Sequence, residues 1–183
     1  MCVHGAMDDQ SVATVRDRAA IEAAEPTAFE TFFERDHAGL YGALWLITRN
    51  RHEAEEIMQD AFLRLWERWP SVAAMHDPTG YLYRTAMNVF RSRRRRAAVA
   101  LRRAARLLPL DDELAAVESR EAVVRALAPL TPRQRAAVVL MDVLGQTSEE
   151  AGRSLGISAS TVRVLAARGR AVLKEKMGDR HDA

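Results

Sequence analysis

The chain has 183 residues, 28% of them charged, a formal net charge of +2, five histidines and a single cysteine. That length allows one large domain or two small ones, while Cys2 alone excludes an internal disulfide or a Cys-based zinc site. The scattered histidines offer no metal-ligand pair at helical spacing, no apolar run is long enough to span a bilayer, and no signal-peptide core opens the sequence, so a cytoplasmic chain without cofactor, metal or membrane contact is expected.

Residues 1–24 carry no strong apolar pattern and predict a mobile tail. Order is expected from Pro26, where Thr27 and Glu30 form a capping box. Phe29, Phe32, Phe33, Leu40, Leu44 and Ile47 then follow as a helical stripe. Asn50 ends that helix and caps the next, with Glu53 in the reciprocal position. The second helix has the clearest period in the chain: Ala54, Ile57, Met58, Ala61, Phe62, Leu65, Trp66 and Trp69 make one wide apolar face, and Pro70 ends it. Beside this face lie Glu56, Gln59, Asp60 and Leu63. Two readings of that strip stand open, a solvated surface or a dock for a basic partner.

Residues 70–77 read as a loop. Asp77 caps a third helix with Pro78 in its first position, where Leu82, Ala86, Val89 and Phe90 face a core. Tyr81, Arg84, Asn88, Ser92 and the run Arg93 to Arg96 fall on other faces. No acidic residue stands between Arg84 and Asp111, an interval that also holds Arg91, Arg102, Arg103 and Arg106. Aromatic and amide side chains ahead of dense arginine suit base stacking combined with phosphate contact. Residues 98–118, interrupted by Pro109, read as a linker. About twenty extended residues reach at most ~70 Å, close to two DNA turns of ~34 Å each.

The last unit, residues 119–177, opens with a helix carrying Val123, Val124 and Leu127, stopped by Pro129. Thr131, Pro132 and Gln134 give a cap, a first-turn proline and a box partner for a helix with Ala136, Val139, Leu140 and Val143 inward. Gly145 closes it. Thr147 or Ser148 caps a short helix through Leu155, Gly156 stops it, Ile157 turns into the corner, and Ser158 caps a longer helix. There Val162, Leu165, Gly169, Val172 and Leu173 face inward, with Arg163, Arg168 and Arg170 outward. A short Gly-containing turn between two such helices is the arrangement that sets the second into a DNA major groove. Residues 178–183 are a tail. The fold class is therefore all-α, two small helical domains joined by a flexible linker.

In their order, these segments resemble the extracytoplasmic-function (ECF) sigma factors, the small group of the bacterial sigma-70 family. FETFFERDHAGLYGALWLITRNRHEAEEIMQDAFLRLWERW looks like regions 2.1 and 2.2, and DPTGYLYRTAMNVFRSRRRR like regions 2.3 and 2.4. LTPRQRAAVVLMDVLGQTSEEAGRSLGISASTVRVLAARGRAVL looks like region 4. The resemblance implies that core RNA polymerase is the partner, its β′ clamp helices meeting Glu56, Gln59, Asp60 and Leu63 and its β flap meeting region 4. It implies that the minus-10 element is melted and read, with a flipped base, by Met75, His76, Asp77, Tyr81, Asn88 and Ser92, while Arg93, Arg94 and Arg95 hold phosphates. It implies that Ser160, Thr161, Arg163, Val164, Ala167, Arg168 and Arg170 face the minus-35 duplex. An anti-sigma factor covering both domains is a common further partner in the family. The chain departs from the family's usual residues at Ser92, Tyr81 and Val164-Leu165; Val164 can offer a base only apolar contact. Gly169, where the family favours alanine, should cost its helix roughly 1 kcal/mol. A stand-alone helix-turn-helix regulator is the alternative, but it leaves the strip beside Leu63 and the arginine-rich helix without a purpose. No nucleophile, base and orienter set, phosphate-binding glycine loop or metal cluster suggests an enzyme or a small-molecule substrate.

Overall fold

The computed structural model describes residues 28–103 and 118–178, all helices and the turns between them. The expected N-terminal tail, Thr27 of the first capping box, residues 104–117 of the expected linker and residues 179–183 lie outside the described residues. The chain divides into two compact units, residues 1–35 and 36–183. The described part of the first is the opening of helix α1, Ala28–Thr48, where the Arg35 guanidinium lies 5.2 Å from the centre of the Phe32 ring.

In the second unit, α1 buries Leu40, Ala43, Leu44, Trp45, Leu46 and Ile47. It ends where Arg49 takes a left-handed φ of 63°. Asn50 then caps α2, Arg51–Trp66, its Oδ1 accepting the Glu53 N–H at 2.8 Å. Only that half of the expected box forms. The Asn50 N–H goes to Thr48 Oγ1 at 3.2 Å, and the half-buried Glu53 carboxyl is pushed above its ordinary pKa by burial, against the pull of Arg94 and Arg93. Along α2, Ala54, Ile57, Ala61, Phe62 and Leu65 are buried as the period predicts; a fully buried Ile or Leu contributes about 1.5–3 kcal/mol. Trp66 does not join them and stays 55% exposed, although Leu65 beside it is fully buried.

The stretch expected as a loop contains a short helix, α3, Trp69–Ala73, with Pro70 in its first turn. The proline that ends one helix there begins another, since its fixed φ suits a first turn, and Val72 anchors it in the core. Asp77 Oδ1 accepts the Gly80 N–H at 2.7 Å to start α4, Pro78–Arg103. That helix buries Leu82, Ala86, Val89 and Phe90, and also Tyr83 and Met87. It continues into the segment expected as linker.

The C-terminal helices are α5, Glu118–Ala126; α6, Pro132–Val138; α7, Ser148–Leu155; and α8, Ala159–Gly178. Both capping boxes form, Thr131 with Gln134 and Thr147 with Glu150. After α6 the chain makes one π-helical turn, Val139–Val143, in which the Leu144 N–H reaches back five residues to the Val139 carbonyl at 3.0 Å. The wider turn takes one extra residue and carries Val143, expected in the core, out to 53% exposure. Along α8, Val162, Ala166 and Gly169 are buried and Leu165, Val172 and Leu173 half-buried.

Gly169 sits where α8 crosses α6. A Cβ there would lie 2.8 Å from Val138 Cγ2, a stiff β-branched side chain itself buried. Overpacking costs about 1–3 kcal/mol, against the ~1 kcal/mol that alanine restores in helix propensity. Gly169→Ala is therefore expected to lower the thermal midpoint of the full chain, followed by circular dichroism; a higher midpoint would show that the close crossing does not require glycine.

Candidate nucleic-acid and protein interfaces

Three surfaces collect the residues singled out in the sequence. On α8, Ser160, Thr161, Arg163, Val164, Ala167, Arg168 and Arg170 are all exposed, on the side away from buried Val162, Ala166 and Gly169. The N-terminus of α8 is capped by Ser158 Oγ, which accepts the Thr161 N–H at 3.2 Å and shares hydrogen bonds with Ser160 and Thr161 hydroxyls. Arg163 donates to Ser148 Oγ at 2.8 Å and pairs with Glu149 at 3.4 Å, while Arg170 pairs with Asp142 at 3.0 Å. Exposed pairs of this kind are screened by solvent and weak, so both guanidinium groups can exchange them for a base edge or phosphate. The Glu149 carboxyl is held below its ordinary pKa by its own backbone N–H and the Ser148 hydroxyl, and that of Glu150 by the Thr147 N–H and hydroxyl. Both stay ionised at neutral pH, where they favour the α7 N-terminus.

The second surface lies along α4 and the turn before it. Met75, His76 and Asp77 are exposed, Tyr81 is half-buried, Asn88 is exposed and Ser92 half-buried. Met75, Asp77 and Tyr81 line one wall of a cleft of about 550 Å³. Arg94 and Arg95 point to solvent, Arg94 lying 5.8 Å over the Phe90 ring.

Arg93 differs from its neighbours in the run. It hydrogen-bonds Glu56 through Nη1 and Asp60 through Nη2, the latter at 2.9 Å. The Asp60 and Glu56 contacts raise its pKa further, against a smaller opposing effect of burial. Of the third surface, the α2 strip, two members are thus tied to α4, whereas Gln59 is exposed and Leu63 is 61% exposed. With Trp66 three residues on, 55% exposed, Leu63 makes an apolar patch beside carboxylates rather than a uniformly solvated face.

Sequence reasoning passed over two arginines. Arg135 follows Arg133 and Gln134 in α6, yet it is only 5% exposed, and its Nε donates to the Ile47 carbonyl at 2.8 Å. Arg91 was counted with the charge run, yet it hydrogen-bonds the Leu155 carbonyl and Asn88 Oδ1. A guanidinium buried as Arg135 is needs polar partners from elsewhere in the fold.

Among the described residues, a capped helix-turn-helix and an arginine-rich amphipathic helix are the features of a nucleic-acid-binding protein. A sigma-70 region 2 model matches residues 32–100 and a sigma-70 region 4 model residues 120–173. Among relatives, the ECF RNA polymerase sigma factor SigM of Mycobacterium tuberculosis is 34% identical over 161 residues, 87% of this chain and 82% of that protein. SigE of Mycolicibacterium smegmatis is 33% identical over 180 residues, 92% of this chain and 68% of that protein. The fold is shared with RpoE of Bartonella quintana, solved with the anti-sigma factor NepR, at a TM-score of 0.68 and 19% identity over 82% of this chain and 96% of that one. It is also shared with CnrH, solved with the cytosolic domain of CnrY, at a TM-score of 0.60 and 23% identity over 88% of this chain and 94% of that one. The chain belongs to the ECF group of the sigma-70 family. It is a promoter-specificity factor that works with core RNA polymerase in transcription initiation, not an enzyme. No helix among the described residues is long and apolar enough to cross a membrane.

Proposed function

We propose that the sigma factor divides its work among the three surfaces, inside the cytoplasm. Glu56, Gln59, Asp60 and Leu63 on α2 bind the β′ clamp helices of core polymerase. Met75, His76, Asp77, Tyr81, Asn88 and Ser92 read the melted minus-10 strand, with Arg94 and Arg95 beside its phosphates and Arg93 held back from them by Glu56 and Asp60. The outer face of α8, Ser160 to Arg170, reads the minus-35 duplex, and the sigma-70 region 4 helices α5 to α8 contact the β flap. An anti-sigma factor is a further partner, a reading supported by the two shared-fold neighbours having been solved with such proteins or with a cytosolic partner domain.

The observation that carries the docking assignment is Leu63, 61% exposed on a helix whose opposite face is fully committed to the core. Truncating leucine to alanine gives up three carbons, and at about 0.8 kcal/mol per buried CH2 a Leu63 covered by the partner would lose about 2 kcal/mol, roughly 30-fold in affinity. Leu63→Ala should therefore weaken binding of the labelled chain to core polymerase by at least about that factor, with an unchanged circular dichroism spectrum. Binding equal to that of the parent would remove Leu63 from the interface.

A further inference from the structure

The arginines on the outer face of α8 are not alike. Arg163 donates Nη1 to Ser148 Oγ at 2.8 Å and faces Glu149 Oε1 at 3.4 Å. Arg170, two helical turns on, donates Nε to Asp142 Oδ2 at 3.0 Å. Arg168, exposed between them, has no carboxylate within ion-pair distance among the described residues.

The two carboxylates come from different elements that converge on one face. Glu149 stands in the first turn of α7, fixed there by its own backbone N–H and by the Ser148 hydroxyl, which donates to its Oε2 at 3.1 Å. Arg163 therefore meets an acceptor already in place. Asp142 belongs to the π-helical turn Val139–Val143, the kind of local widening that is frequent at functional sites. Both arginine side chains remain more than half exposed, at 57% and 53%, so a duplex can reach them without any rearrangement of the helices.

A guanidinium beside a carboxylate brings no net charge to a duplex. To reach a phosphate it must leave its partner, and the carboxylate left behind then stands near DNA and repels it. Counterion release at the phosphate is the only gain, and it is the same for any sequence. A base edge adds directional, bidentate hydrogen bonds. The pairs therefore oppose contact with arbitrary DNA and give way where a particular base supplies those bonds. Repulsion built against the wrong sites is one of the two routes to specificity.

We propose that Glu149 and Asp142 are specificity-determining residues of the helix-turn-helix: they hold Arg163 and Arg170 away from arbitrary phosphates, and only Arg168 grips DNA regardless of sequence. The consequence for promoter choice rests on the minus-35 reading given under Proposed function. The suppression of binding to arbitrary duplex does not, and is tested separately.

The first test is binding of the full-length chain to a fluorescent duplex of random sequence at several salt concentrations. Asp142→Asn combined with Glu149→Gln should tighten that binding about 5- to 60-fold at ~0.1 M salt and steepen the slope of log K against log salt by about 2. Glu150, which completes the capping box of α7, is untouched. Glu175→Gln removes an exposed carboxylate of α8 outside both pairs and should leave the slope as it is. Arg168→Ala should lower the slope of the parent by about 1. Arg163→Ala should leave the slope of the parent on random duplex nearly unchanged, yet lower it by about 1 in the carboxylate double variant. Three results with native circular dichroism each overturn the proposal: random-duplex affinity of the double variant equal to that of the parent, a gain no larger than that of Glu175→Gln, or an equal effect of Arg163→Ala in both backgrounds.

The second test compares holoenzyme on a mapped promoter and on the same duplex with its minus-35 element replaced. The double variant should discriminate between them less than the parent does; undiminished discrimination overturns the role in specificity. A parent that does not discriminate, with the gain on random duplex present, would count against the minus-35 assignment and leave the suppression of general DNA binding standing.

Discussion

Replacing Arg94 and Arg95 together with alanine should weaken the promoter complex for every promoter sequence alike. Both side chains are exposed on α4, beyond the face that buries Val89 and Phe90. A guanidinium in that position neutralises a phosphate and releases its counterion, so two such losses lower the slope of log K against log salt by about 2. If counterion release were the whole effect, affinity would fall about 60-fold at ~0.1 M salt. Arg93→Ala should behave differently. Its guanidinium is already held by Glu56 and Asp60, so its removal should leave the salt slope nearly unchanged and instead loosen the α2 strip, weakening core binding. Titrations of the holoenzyme on promoter DNA at several salt concentrations separate the two. An unchanged slope in the Arg94→Ala, Arg95→Ala chain would contradict phosphate contact by these residues.

The second large effect is expected at the other head. Arg163→Ala removes a fork of donors from the outer face of α8, where the free chain holds it only by Ser148 and Glu149, both at the surface. A bidentate contact to a base is worth about 1–3 kcal/mol of discrimination, or roughly 5- to 150-fold. The loss should appear at one base pair of the minus-35 element, with the preference among bases there relaxed and the salt slope reduced by no more than about 1. Val164, 48% exposed beside it, has no hydrogen bond to offer, so its contribution is apolar contact of the kind a thymine methyl accepts. Binding measured across a set of duplexes varied one base pair at a time reads both. A uniform loss over all duplexes would make Arg163 a phosphate contact instead.

Local chemistry made most of the fold readable. The capping residues Asn50, Thr131, Thr147 and Ser158, with Gly156 as a stop, mark helix ends through bonds within three or four residues, and these appear where the sequence places them. The α2 stripe was readable because one face is buried from Ala54 to Leu65. What failed depended on longer or subtler effects. Pro70 signals the end of one helix and the start of another equally well, so α3 was missed. The π turn that exposes Val143 alters the period on which the inward assignment rested. Glycine at 169 looks like a weakness in α8 until Val138 of another helix is placed against it. Arg135 and Arg91 have partners 88 and 64 residues away in sequence, and no local pattern announces a bond to a distant backbone carbonyl. Among the candidate site residues, exposure of the α8 face followed from its helical period, whereas the tie of Arg93 to Glu56 and Asp60 required the packing of α4 on α2.

The central claim is that one chain gives core polymerase two DNA-reading heads. Transcription from a library of genomic fragments, with core enzyme freed of other sigma factors and start sites mapped by sequencing, tests it most directly. Adding this chain is expected to produce discrete start sites, preceded by two shared sequence elements at a fixed spacing, with the upstream element lost in Arg163→Ala. No start sites beyond those of core alone, or start sites sharing only one element, would contradict the account.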